Sequence, residues 1–163
     1  MKYLIILVIA GLLGYIGFGF SMFYKNREKF FKGLELLFEN LKTEIKFSRN
    51  KVIEILQSYN TNSKEVRLLL NNFINCLEYD LDISSENLFK NIKILHDDEK
   101  NILLIFFKSI GKFDAYNQTN QLENQKNELH EFYKKAEEES KKYTPLYMKL
   151  GVILGLVIGL IFL

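Results

Sequence analysis

The chain has 163 residues, with 22 Lys and Arg against 20 Asp and Glu, and 48% of it is hydrophobic. Between Lys25 and Tyr143 the balance is 20 against 20, which argues against a nucleic-acid partner, although the charge is uneven, with Lys25, Arg27, Lys29, Lys32, Lys42, Lys46, Arg49 and Lys51 facing only four acids in the same stretch. A single cysteine, Cys76, excludes an internal disulfide and fits a reducing compartment.

Residues 3–24 carry no charge and lie between Lys2 and Lys25. A helix rises about 1.5 Å per residue, so about 20 residues cross the hydrocarbon core of a bilayer. The segment is long enough. A cleaved signal peptide is the rival reading, but the apolar run is longer than a usual h-region, Lys2 alone marks an n-region, and no A-x-A site follows. A retained membrane helix over residues 1–24 is therefore expected. Lys25, Arg27, Lys29 and Lys32 follow it directly, and Lys141, Lys142 and Lys149 precede the closing apolar run. The positive-inside rule then places the intervening domain, residues 25–143, in the cytoplasm and both termini on the far side.

Within that domain, Phe30, Leu34, Leu37, Leu41, Ile45, Val52 and Ile55 or Leu56 fall at helical period, with no turn residue before Asn60-Thr61-Asn62. Asn62 and Glu65 look like a capping pair for a second helix, whose face is Val66, Leu69, Leu70, Phe73 and Leu77. A turn is expected over 80–85, then a third helix capped by Ser84 or Ser85, with Leu88, Ile92 and Leu95 on one side. Asp97 is the expected N-cap of a fourth helix, with Asp98 and Glu99 near the positive end of its dipole. Its face is Leu103, Phe106, Phe107 and Ile110. Gly111 is the expected C-terminal break, and Asp114 the cap of a fifth helix.

That fifth helix keeps a nearly heptad phase through Leu122, Leu129, Phe132, Ala136, Tyr143, Leu150 and Leu154, with polar Gln118, Gln125 and Ser140 filling gaps. The phase passes through Pro145 into the apolar run 150–163, which predicts one long helix entering the membrane. Pro145 should bend it, unless Thr144 caps a fresh start. Fourteen residues are short for a span; Lys149 can snorkel its amine to the interface, and tyrosines at 143 and 147 add an interfacial turn. Residues 144–163 are expected to form the second membrane helix, and Gly151, Gly155 and Gly159 a flat packing face. The predicted fold class is all-α, an antiparallel helical bundle flanked by two transmembrane helices.

No catalytic set is visible. His96 and His130 lie on different elements without ligand spacing, which argues against a metal site. Cys76 falls on an apolar helix face and reads as a small buried hydrophobe. No glycine-rich loop precedes a helix, so no phosphate-bearing cofactor is expected. Glu137, Glu138 and Glu139 read as a solvated face beside Lys134, Lys135, Lys141 and Lys142.

The segment Phe107-Lys108-Ser109-Ile110-Gly111-Lys112-Phe113-Asp114, with Gln118 beyond it, resembles the "G-x-x-L-G-x-x-D-x-x-x-Q" region of the stage III sporulation protein AB family. The ending Lys149-Leu150-Gly151-Val152-Ile153-Leu154-Gly155-Leu156 is similar to that family's closing membrane helix, and residues 34–45, with Leu37, Leu41, Glu44 and Ile45, to its "L-x-x-L-x-x-E-I" helix. The chain departs from the pattern at Lys108 or Ser109, where the family has glycine, at Ile110 for leucine, at Ser48-Arg49-Asn50, where the family often has Pro-Leu, and at Pro145. The resemblance makes Gly111, Asp114, Gln118, Lys149, Gly151 and Gly155 the candidate motif and interaction residues.

It also implies a role in endospore formation, within an assembly that joins mother cell to forespore and whose other members resemble secretion machinery. The family's soluble domain resembles the cytoplasmic domain of the type II secretion platform protein. The implied partners are the assembly's ATPase on the mother-cell side and its membrane subunits; a homo-oligomer is compatible with this. The expected function is thus a non-enzymatic platform or adaptor subunit without a cofactor. The alternative is a small pore-forming or holin-like protein with a regulatory helical domain. A water-lined pore, however, needs polar groups in its spans, and the first has few, Tyr3, Tyr15 and Ser21 among them.

Overall fold

The computed structural model describes residues 2–47, 52–109 and 115–161, with side chains described over 8–44, 53–109 and 124–161. It contains α1 Lys2–Phe47, α2 Val52–Ser58, α3 Lys64–Glu78, α4 Ser85–Leu88, α5 Asp97–Ser109 and α6 Ala115–Ile161. No strand occurs among the described residues, and the fold is all-α, as expected. The chain divides into two compact units, one made of residues 1–28 and 135–163, the other of residues 29–134. Helices α1 and α6 contribute to both.

In the unit of residues 29–134, Phe30, Phe31, Leu34, Leu37, Phe38 and Leu41 of α1 are fully buried or nearly so. Their spacing of three and four is the stripe by which a helix faces a core. Phe38 meets Phe106 of α5 with ring centroids 4.1 Å apart, and Phe73 of α3 meets Phe107 at 4.8 Å. Phe31 lies 5.7 Å from Phe132 of α6. Each buried phenylalanine contributes about 1.5–3 kcal/mol of transfer free energy, so this aromatic cluster is a substantial part of the unit's stability, beside the buried leucines and isoleucines. A polar contact between Glu35 and His130 at 2.8 Å and an ion pair between Glu39 and Lys126 at 2.7 Å tie α1 to α6 in antiparallel order.

The helix expected to run from Phe30 to Asn60 is divided into α1 and α2, and residues 48–51 lie outside the described ones. The cap of α3 is Ser63 rather than Asn62. Ser63 has extended backbone angles and its Oγ accepts from Val66 N at 3.3 Å. Its own N–H donates to Thr61 Oγ1 at 3.2 Å; Asn62 points to solvent. On α3 the fifth buried position is Cys76, while Leu77 is 38% exposed. After Glu78 the chain reverses through Asp80, which adopts φ 51°, a conformation aspartate tolerates better than most residues.

The third expected helix is only the single turn α4, capped by Ser84. Asn91 at φ 64° ends its extension, and the Asn72 side-chain amide donates to the Leu88 and Lys90 carbonyls, holding the loop open. Leu88, Ile92 and Leu95 are nevertheless all buried. Helix α5 starts at Asp97, but Asp97 is not its cap. The His96 carbonyl accepts from Lys100 N, and Glu99, 1% exposed, reaches back to accept from His96 N at 2.8 Å. This is the carboxylate half of a capping box. Leu103, Phe106 and Phe107 are buried as expected; Ile110 lies outside the described residues.

Helix α6 continues through Pro145 with no fresh start at Thr144; the Thr144 and Ser140 hydroxyls are 3.4 Å apart. The heptad phase does not persist to the end. Leu129, Ala136 and Ser140 are buried, but Leu150 and Leu154 are exposed, and Gly151 and Gly155 take the inner position. A helix of 3.6 residues per turn drifts about 20° per heptad from a seven-residue repeat, which carries the stripe off the leucines and onto the glycines.

Candidate helix-packing site

The unit of residues 1–28 and 135–163 is a pair of helix segments running antiparallel. Its inner faces lack side chains where they come closest. A Cβ placed on Gly17 would lie 2.6 Å from the Tyr147 carbonyl oxygen and 3.0 Å from Gly151 Cα. One on Gly151 would meet the Leu13 carbonyl at 3.0 Å, and one on Gly155 the Ala10 carbonyl at 3.2 Å. Backbone therefore packs on backbone. Small residues let the two backbones approach this closely, the usual basis of tight helix packing in lipid.

Next along the pair, Phe20 stacks on Tyr147 at 5.4 Å, and Tyr24 lies 4.9 Å from Tyr143 and 5.7 Å from Tyr147. Lys142 Nζ sits 5.1 Å from the Tyr143 ring centroid. Tyrosines concentrated at one level of two apolar helices suit the water–lipid boundary. Beyond them Arg27, with 0% exposure, has its Nε 3.3 Å from Glu139 Oε2. The acidic run 137–139 is thus not a uniformly solvated face. Glu137 makes the expected i,i+4 pair with Lys141 at 3.0 Å, Glu138 is exposed, and Glu139 turns inward to Arg27. A buried guanidinium requires such a partner, because desolvating it alone is costly.

Of the candidate residues named from the sequence, Gly151 and Gly155 come together in this contact, and Lys149 is exposed near it. Gly111 and Asp114 lie outside the described residues. Gln118 lies within the first turns of α6, and its side chain is outside the described ones. The sequence reading missed the matching row on α1, Ala10, Gly14, Gly17 and Ser21, and the inward role of Arg27. The row was available as small residues spaced by four, three and four. Arg27 was hidden because a juxtamembrane cation ordinarily faces water.

Elsewhere, burial pushes the Cys76 thiol up, with the Asp82 charge adding to it, and burial raises the Tyr59 phenol. A raised thiol is a poor nucleophile. A hydrogen bond from Lys100 holds the Asp97 carboxyl below the usual carboxylate range. Among the described residues no three His, Cys, Asp or Glu side chains converge as a metal site would require.

Two helices are long and apolar enough to cross a membrane, over Val8–Glu44 and Asn124–Ile161. Only 11% of each apolar window is buried, whereas the core helix of a water-soluble protein is mostly buried. Fold and site together define the class, an all-helical protein with two membrane-length helices, consistent with a membrane protein. The chain matches the family described as stage III sporulation protein AB over residues 2–163. It belongs to that family and is a sporulation-related protein. No curated protein and no solved structure matches it.

Proposed function

We propose that the protein is a non-enzymatic platform or adaptor subunit of the channel assembly that joins mother cell and forespore during endospore formation. The observation that carries this reading is that α1 and α6 each contain a membrane-length apolar segment and a segment that builds the unit of residues 29–134. One helix then serves both as anchor and as part of the helical domain. The exposed surface of that domain offers the docking face for the assembly's ATPase and membrane subunits. The glycine contact between the spans supports a retained first helix, since cleavage after residue 24 would remove Ala10, Gly14 and Gly17.

Cross-linking and co-purification from sporulating cells test the proposal. Recovery of the ATPase and the other membrane subunits with the tagged full chain is expected. Their absence, or normal spore numbers after deletion of the gene, overturns it. The proposed sidedness places residues 29–134 in the cytoplasm. A Cys76→Ser, Lys90→Cys chain, whose new thiol is at an exposed position, should resist a membrane-impermeant thiol reagent until cells are permeabilised. Labelling of intact cells reverses the topology.

A further inference from the structure

We infer that a groove on the unit of residues 29–134, between α1 and the loop joining α2 to α3, binds the phosphate headgroup of an anionic phospholipid. The inference rests on the membrane reading of α1. The groove, of about 460 Å³, is lined by Lys29, Lys32 and Leu36 on α1 and by Tyr59, Asn60 and Asn62 opposite. Gly33 lies between the lysines and Leu36 and lets Val66, Thr61 and Ser63 pack against α1, which closes the floor of the groove. Tyr59 is fixed in the wall by donating its hydroxyl to the Gly33 carbonyl at 3.2 Å. Lys29 and Lys32 are exposed and make no ion pair among the described residues. No acidic residue lines the groove.

The adjoining groove, lined by Asn40, Glu44, Glu54, Ile55 and Tyr59, carries two carboxylates and would repel phosphate. The two grooves share Tyr59 and Asn60 and differ in sign. Position along α1 selects a lipid as the source of the phosphate. Lys29 and Lys32 follow the uncharged run 3–24 by five and eight residues, within the juxtamembrane stretch where cations meet anionic lipid. The headgroup zone is roughly 5–7 Å deep on each side of the hydrocarbon, and a lysine arm can bend its ammonium back toward it. Lys25, one turn earlier on the same helix face, is also exposed. Basic groups just outside a span recruit anionic lipid.

The test uses the full chain in phosphatidylcholine nanodiscs with phosphatidylglycerol titrated in, read as a thermal midpoint. A saturable rise is expected. Lys29→Gln with Lys32→Gln should match the parent chain in pure phosphatidylcholine but need roughly thirty-fold more phosphatidylglycerol for the same rise, as follows from removing two cations at a membrane surface. Lys90→Gln with Lys93→Gln, at exposed positions elsewhere on the unit, should behave like the parent. Equal shifts in both variants overturn the inference, as does an equal rise with inorganic phosphate alone or with an acidic peptide. Alkaline carbonate extraction separates the two levels. Release of the chain from membranes overturns the membrane reading itself, whereas a retained chain without the lysine-dependent shift overturns only the headgroup site.

Discussion

Helices α1 and α6 meet in both units of the molecule, and they meet by different means. In residues 29–134 large side chains separate and join them: Phe31 against Phe132, Glu35 against His130, Glu39 against Lys126. In the other unit the contact is made where side chains are missing, at Gly17, Gly151 and Gly155. On the proposed membrane reading of the two apolar segments, the difference follows from solvent. In water, removing phenylalanine surface drives association at about 25 cal/mol per Å². In lipid that term vanishes, because the acyl chains are as apolar as leucine, and only close packing and backbone contact remain. The same two helices thus change packing chemistry along their length, with the tyrosine cluster and the Arg27–Glu139 pair at the change.

The largest expected effect breaks the water-facing half. Phe107 has no exposed surface and touches both Phe73 and Phe106. Phe107→Ala should cost about 3–5 kcal/mol, seen as a lower urea midpoint for the full chain in detergent. An unchanged midpoint means the aromatic cluster does not hold that unit. Next is Arg27→Leu, which leaves Glu139 facing an apolar partner. Glu139 is a quarter exposed, so water screens part of the loss and about 1–3 kcal/mol is expected. Adding Glu139→Leu should restore part of it. A double variant worse than the single one would remove the pair from the account.

Glycine substitutions sharpen the comparison on the lipid side. Gly17→Ala pushes a methyl to within 2.6 Å of a backbone oxygen, so the helices must separate, at about 1–3 kcal/mol. Gly151→Ala and Gly155→Ala should follow in decreasing order, as their clearances widen. Gly11→Ala and Gly19→Ala, with nothing near the added atom, should be neutral or slightly stabilising. Resistance of the helix pair to sodium dodecyl sulphate reads the series. Equal effects at Gly11 and Gly17 would show that helix propensity, not close approach, sets the outcome.

What the sequence made legible follows the same divide. The face Phe30, Leu34, Leu37 and Leu41 was readable because burial in water imprints a 3.6-residue period. Capping positions were readable only to within one residue. Asn62 and Ser63 are adjacent and both are good caps, and backbone geometry, which decided for Ser63, leaves no trace in residue type. Asn91 cut the third helix short through a left-handed turn that its neighbours do not announce. The glycine row of α6 was legible by itself. Its partner on α1 was not, since pairing opposite ends of the chain needs the fold. The cap assignment remains checkable. Ser63→Ala should cost about 1 kcal/mol, while Asn62→Ala should stay within about 0.5 kcal/mol of the parent.

The smallest expected effect concerns the start of α5. The hydrogen bond from Lys100, then its charge, then His96, lower the Asp97 pKa below its ordinary value. A depressed carboxylate adds stability that is present above the unfolded-state pKa and lost as pH falls through the folded one. The contribution should therefore be intact at neutral pH and disappear only below the ordinary carboxylate range. Asp97 is fully exposed, so its influence on the midpoint should be hard to detect, and the direct readout is its carboxyl resonance followed through an acid titration. Lys100→Gln should move that titration back toward the ordinary value. The same titration in both chains would mean that the 2.8 Å contact does not persist in solution. The cap of α5 would then rest on the buried Glu99 alone, held against His96 N, which ties that helix start to the water-facing core rather than to surface charge.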